Sequence, residues 1–172
     1  MRGSSTRKAR SPRKQSNVVV EVSNRQQRRV SRLSIEQAVQ HVLQMRGWST
    51  AEISVAVVDA ETMRRLNREF LQHDYVTDVL SFLFSRDARR KSLGGEIVVC
   101  ADLAAKIAAR QTWKWQDELL LYVIHGALHL VGYNDKTAAQ QRRMRAAERK
   151  ILSELGIQIL PGVLALASKE PA

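Results

Sequence analysis

His125 and His129 stand four residues apart, Gly132 follows three residues later, and Asp135 lies three beyond that. On a helix, residues at this spacing sit one above the other, so both imidazoles can face a single ion. Glycine is the residue type that ends a helix in a left-handed turn, which lets the chain fold back and bring Asp135 to the same point. Two nitrogens and one oxygen leave a tetrahedral metal with one position free for water. That is the ligand set of a catalytic zinc rather than of a structural one.

Two helical histidines can also be ordinary core residues, and the flanking sequence favours the metal. Leu119, Leu120, Leu121, Val123, Ile124, Leu128, Leu130 and Val131 make the segment apolar nearly all round, which predicts a central buried helix. Buried imidazoles there need partners, because unpaired polar groups are costly to bury. The frame is that of the extended zinc proteases, H-E-x-x-H-x-x-G-x-x-H. Gly126 stands where those enzymes carry the glutamate that activates water, so peptide hydrolysis by that route is disfavoured.

The elements that must hold this helix read as one α+β domain, a mixed sheet of about four strands packed by helices. Residues 18–22 form a candidate strand, and Ser34 with Gln37 reads as a capping box opening a helix that Gly47 ends. Ile35, Ala38, Val39, Val42 and Leu43 are that helix's apolar stripe. Residues 53–58, 79–84 and 96–100 read as further strands, with a charged, glycine-containing loop over 85–95. Met63, Leu66 and Phe70 mark a short helix, residues 101–111 another, and Met144, Ala147, Ile151 and Leu155 the last. Trp113 and Trp115 lie in a loop before the metal helix and read as packing residues. Ser81 and Phe82 sit on a strand, Phe82 as a core residue. Residues 1–17 are expected to be a disordered basic tail, 18–157 the domain, and 158–172 a C-terminal tail beyond Pro161-Gly162.

The chain has 172 residues, enough for one proper core. A single cysteine, Cys100, excludes an internal disulfide and fits a reducing, cytoplasmic setting. No apolar stretch is long enough to cross a bilayer, so no membrane role is expected. The net charge is +11, and Arg2, Arg7, Lys8, Arg10, Arg13 and Lys14 carry six of those charges with no acid among them. That balance points to an anionic partner. Arg142, Arg145 and Arg149 share a helix face just beyond the metal motif, where they would hold a phosphate backbone without reading sequence.

Three blocks carry a family resemblance: His125 to Tyr133; Leu66-Asn67, Asp74 and Thr77 to Phe82; and Leu93-Gly94 with Glu96 to Cys100. Over about residues 50–155 the chain resembles the YbeY-type endoribonucleases, bacterial ribosomal RNA maturation factors. The signature of that family is His-Gly-x-Leu-His-Leu-x-Gly-Tyr-Asp-His. The resemblance implies a zinc-dependent, single-strand-specific endoribonuclease acting in 16S rRNA 3′-end maturation and ribosome quality control. It further implies one Zn2+ per chain, with ribosomal RNA and the small ribosomal subunit as partners. Two departures are visible. Asn134-Asp135 replaces Asp-His, so the third ligand is an aspartate, which makes the ion less Lewis-acidic. Leu71 occupies the position of a functional arginine of the family, leaving Arg68 or His73 as candidates for its role; otherwise His73 is a solvated loop residue. Two other readings follow: an RNA- or ribosome-associated assembly factor with a mainly structural metal, and a metal-dependent hydrolase of another substrate.

Overall fold

The structure, a computed structural model, describes residues 17–111 and 113–159. The basic residues 1–16 and the stretch from 160 onward, including Pro161-Gly162, lie outside it. In chain order the elements are β1 (Asn17–Asn24), α1 (Arg32–Met45), β2 (Thr50–Val58), α2 (Ala60–Leu71), β3 (Val79–Asp87), β4 (Ser92–Cys100), α3 (Ala101–Ala108), α4 (Trp115–Leu130) and α5 (Ala138–Glu154). The sheet order is β1-β2-β4-β3, with β1, β2 and β4 parallel and β3 an antiparallel edge. The expected α+β architecture, a mixed four-stranded sheet with a buried helix carrying the site, is the one observed.

The burial of the two central strands explains how the sheet is layered. In β2 and β4 buried residues alternate at first and then run without a break through Val55–Val58 and Ile97–Cys100. Alternation means one face is covered; the unbroken runs mean both are. On one face Val55, Val57, Ile97 and Val99 join a large core with α1, α4 and α5. On the other, Ala56, Val58, Leu80 and Val98 form a smaller cluster under Met63 of α2. Cys100 ends β4 fully buried, and burial pushes its thiol up to about 11, which agrees with an unreactive core residue.

Several boundaries differ from those read in the sequence. Asn17, placed in the tail, opens β1 by pairing with Thr50. Ser31, not Ser34, caps α1; its side chain accepts the Ser34 N–H at 3.2 Å. The expected loop over 85–95 is mostly sheet, since β3 and β4 pair from Val79↔Val99 out to Asp87↔Ser92. Charged, exposed residues of an edge strand lack the alternation that marks a strand, yet their backbone completes the ladder. The Asp87 carboxylate closes the short turn by accepting the Arg89 and Arg90 N–H groups at 2.9 and 3.0 Å. α3 stops at Ala108, and Trp115 begins α4 instead of preceding it. Among the described residues no helix is long and apolar enough to cross a membrane.

Candidate metal centre

Helix α4 carries the two histidines because the sequence makes it the centre of the molecule. Eleven of its sixteen residues are buried, on nearly every side. Gly126 shows how closely it lies against the sheet: a Cβ there would meet Ile97 Cγ2 at 2.8 Å, Ser81 Oγ at 2.9 Å and Val79 Cγ2 at 2.9 Å. The site of the protease glutamate is therefore filled by β3 and β4, and a carboxylate could not be accommodated. Ser81 instead donates to the Gly126 carbonyl at 3.2 Å, tying the edge strand to the helix.

The helix ends as its glycine predicts. Gly132 has φ +102, its N–H bonds to the His129 carbonyl at 3.0 Å, and the Tyr133 N–H bonds to the Leu128 carbonyl at 2.9 Å. These bonds reverse the chain. The Arg86 guanidinium packs against the turn and reaches the Val131 carbonyl at 3.4 Å. Asp135 is thereby delivered to the two histidines.

The three side chains meet as a triangle. His125 Nε2 and His129 Nε2 are 2.9 Å apart, and Asp135 Oδ2 lies 3.6 Å from the first and 3.7 Å from the second. A tetrahedral zinc with bonds of about 2.0–2.1 Å sets its donors about 3.3–3.4 Å apart. The observed edges bracket that value, so the donor set fits a metal ion. Solvent reaches it: side-chain exposure is 22% for His125, 28% for His129 and 44% for Asp135.

Both imidazoles are oriented from behind. His125 Nδ1 lies 2.6 Å from Glu148 Oε1, and His129 Nδ1 lies 3.1 Å from the Tyr133 carbonyl. A carboxylate and a carbonyl can only accept, so Nδ1 carries the proton in each ring and the lone pair falls on Nε2. Burial pulls the His125 pKa down, but the hydrogen bond and charge of Glu148, with Asp78 and Asp135, outweigh it, and the pKa rises. Burial, then the neighbouring His125, hold His129 below its usual range.

Glu148, which the sequence reading did not single out, is a site residue through its bond to His125. It is almost wholly buried. Asp78, quoted only as part of a motif, acts through its charge on His125, Glu118 and Tyr122. The catalytic candidates Arg68 and His73 lie at the end of α2 and just beyond it. Arg68 pairs with Asp74 at 3.8 Å, and His73 stacks on Tyr75 with ring centroids 5.3 Å apart. Neither is bonded to a member of the triad. Leu71, the last residue of α2, is 51% exposed. Arg142 and Arg149 are exposed on α5, and Arg145 is partly so. Phe82, expected in the core, is only partly buried and meets Phe70 edge-on at 5.1 Å. Trp115 packs against the main core, as expected for a packing residue.

Comparison with known proteins places these features in a wider set. The family model described as Endoribonuclease YbeY matches residues 21–156. A protein of Salinibacter ruber named Endoribonuclease YbeY is 38% identical over 126 residues, covering 70% of this chain and 80% of that protein. One of Chlorobium luteolum with the same name is 32% identical, covering 79% of this chain and 97% of that protein. Among solved structures, the solution structure of TM1509 from Thermotoga maritima superposes with a TM-score of 0.56 at 23% identity. That likeness covers 84% of this chain and 99% of the other, and it is a likeness of fold.

Proposed function

The chain belongs to the YbeY endoribonuclease family, and on that premise we propose that it is a zinc-dependent, single-strand-specific endoribonuclease. Its proposed task is 16S rRNA 3′-end maturation and ribosome quality control, with the small ribosomal subunit as partner in a reducing cytoplasm. The observation that carries this reading is the solvent-reached triangle of His125, His129 and Asp135, with both Nε2 lone pairs directed by partners on Nδ1. Two imidazoles and a carboxylate are a zinc-type donor set with a position left for substrate or water. Zinc held there would supply Lewis acidity toward a phosphoryl oxygen and acidify water at the site. The residues themselves do the rest: Glu148 and the Tyr133 carbonyl fix the rings, and Asp135 tempers the positive charge. Gly126 leaves no helical carboxylate in the base position of the zinc proteases, so peptides are poor candidates as substrates.

One observation favours a second reading, an RNA- or ribosome-associated assembly factor with a structural metal. Leu71 stands exposed where the family resemblance expects an arginine, so a cation for developing phosphate charge is missing from that position. A single experiment separates the two. Purified full-length protein should hold about one zinc per chain and cut single-stranded RNA. Asp135→Ala should still bind RNA but not cut it. Stoichiometric zinc with RNA bound and no cleavage by the wild type would select the assembly factor.

A further inference from the structure

We propose that an open cavity behind the metal-ligand turn is a phosphate subsite that holds the RNA backbone next to the scissile position. The proposal rests on the endoribonuclease reading above and deepens it. The cavity encloses about 290 Å³ and is lined by Arg46, Gly132, Tyr133, Asn134, Gln140 and Arg143. Its walls come from three places: the end of α1, the turn between His129 and Asp135, and the first turns of α5. The size is near the lower end of small-ligand sites and suits one phosphate with part of its sugar.

The chemistry of the lining selects an anion. It contains two guanidinium groups and no carboxylate. Neither Arg46 nor Arg143 forms an ion pair with an acid among the described residues, although the chain has 17 acids. Bringing two unneutralised cations to one concavity is unfavourable until an anion joins them. Arg46 is held in place from the side, its guanidinium carbon 5.3 Å from the centre of the Tyr133 ring. Gln140 uses its Oε1 to accept the Thr137 N–H at 3.1 Å, so its Nε2 remains as a neutral donor beside the arginines. Asn134 offers another amide. Guanidinium and amide donors around an acidless hollow are the recognition set for phosphate.

Position decides which phosphate. Residues 132–134 are the link between ligand His129 and ligand Asp135, so the cavity shares a wall with the segment that positions two of the three ligands. A second phosphate gripped there would fix the register of a strand whose scissile group faces the triad, while a lone nucleotide would be held at one end only. Arg143 is one residue from Arg142, about 100° away around the helix at 3.6 residues per turn. It therefore points away from the face shared by Arg142, Arg145 and Arg149, and the two sets meet different parts of the strand.

The test uses full-length, zinc-loaded protein and a nuclease-resistant single-stranded 2′-O-methyl phosphorothioate oligonucleotide, with affinity read by anisotropy across a salt series. Arg46→Gln with Arg143→Gln should weaken binding at least about tenfold, the factor expected for the loss of even one charge-assisted hydrogen bond. The slope of log affinity against log salt should shrink by about 0.7 for each phosphate that the protein no longer neutralises. Zinc content should stay at the wild-type level. Arg143→Gln alone, on an exposed helix position, carries the test should the double variant fold poorly. Wild-type affinity and slope in these variants would overturn the subsite. A wild type that binds no RNA would instead overturn the nuclease reading. Titration with inorganic pyrophosphate then still decides the subsite: binding abolished in the variants supports it, and equal binding removes it.

Discussion

His125 and Glu148 are 23 positions apart in sequence but only 2.6 Å apart in space, and that hydrogen bond decides which imidazole nitrogen faces the ligand triangle. A buried carboxylate behind a metal-directed histidine fixes the ring and raises its basicity. Glu148→Gln keeps the shape and removes the charge. Zinc affinity measured by competitive titration should fall about 10- to 100-fold, while circular dichroism stays unchanged. Unchanged affinity would reduce Glu148 to a packing residue. At this scale the sequence displayed the ligands and concealed their support. His125, His129 and Asp135 announce themselves by spacing within one short run. Glu148 looks like one more charge in a charged helix. The signal that could have exposed it is its place four residues after Met144 and three before Ile151, on the stripe that α5 buries. An acid on a core stripe needs a partner, and the sequence does not say which one.

Secondary-structure elements were legible where burial leaves a mark on the side chains. The stripe of α1 was visible because one-sided packing repeats at the helical period, and α4 because its run is apolar on nearly every side. The outer part of the β3–β4 hairpin, over residues 85–95, was not, because an edge strand is chosen by backbone pairing that leaves no mark on side-chain polarity. The N-cap of α1 was missed by three residues, since Ser31 and Ser34 are equally good capping residues and the tertiary fold selects between them. What brings α4 onto that hairpin is the bare face at Gly126. Gly126→Ala tests it, and two effects of opposite sign compete. Alanine gains about 1 kcal/mol of helix propensity. Against this, the added methyl overlaps atoms on two strands, including the stiff side chains of Ile97 and Val79, and overpacking of this kind costs about 1–3 kcal/mol. The net expectation is destabilisation, seen as a lower urea midpoint with the slope unchanged. A midpoint at or above that of wild type would mean that the helix can retreat from the sheet at little cost.

For the molecule as a whole, charge sets the terms of both binding and stability. With 28 lysines and arginines against 17 acids, acidification strips the negative partners and leaves growing self-repulsion, so global stability should decline in acid. Buried Glu118 works in the other direction. Burial pushes its carboxyl up from 4.5 to about 7, and the Tyr122 hydroxyl only partly opposes that shift. Its pKa is raised in the folded state, so the unfolded chain releases this proton first as pH increases. Its contribution is therefore fully present below about pH 4.5, lost progressively up to about 7, and constant above. The two trends overlap in the wild type and can be separated by difference. Glu118→Gln keeps the side-chain volume and removes the titration. The stability of wild type relative to this variant should be highest near pH 4.5 and fall steadily to pH 7, the window bounded by the two pKa values. Urea unfolding of both proteins across that range gives the comparison directly, and self-repulsion cancels because it is common to both. A constant difference would mean that Glu118 titrates normally, which would require water to reach a carboxyl that is 1% exposed.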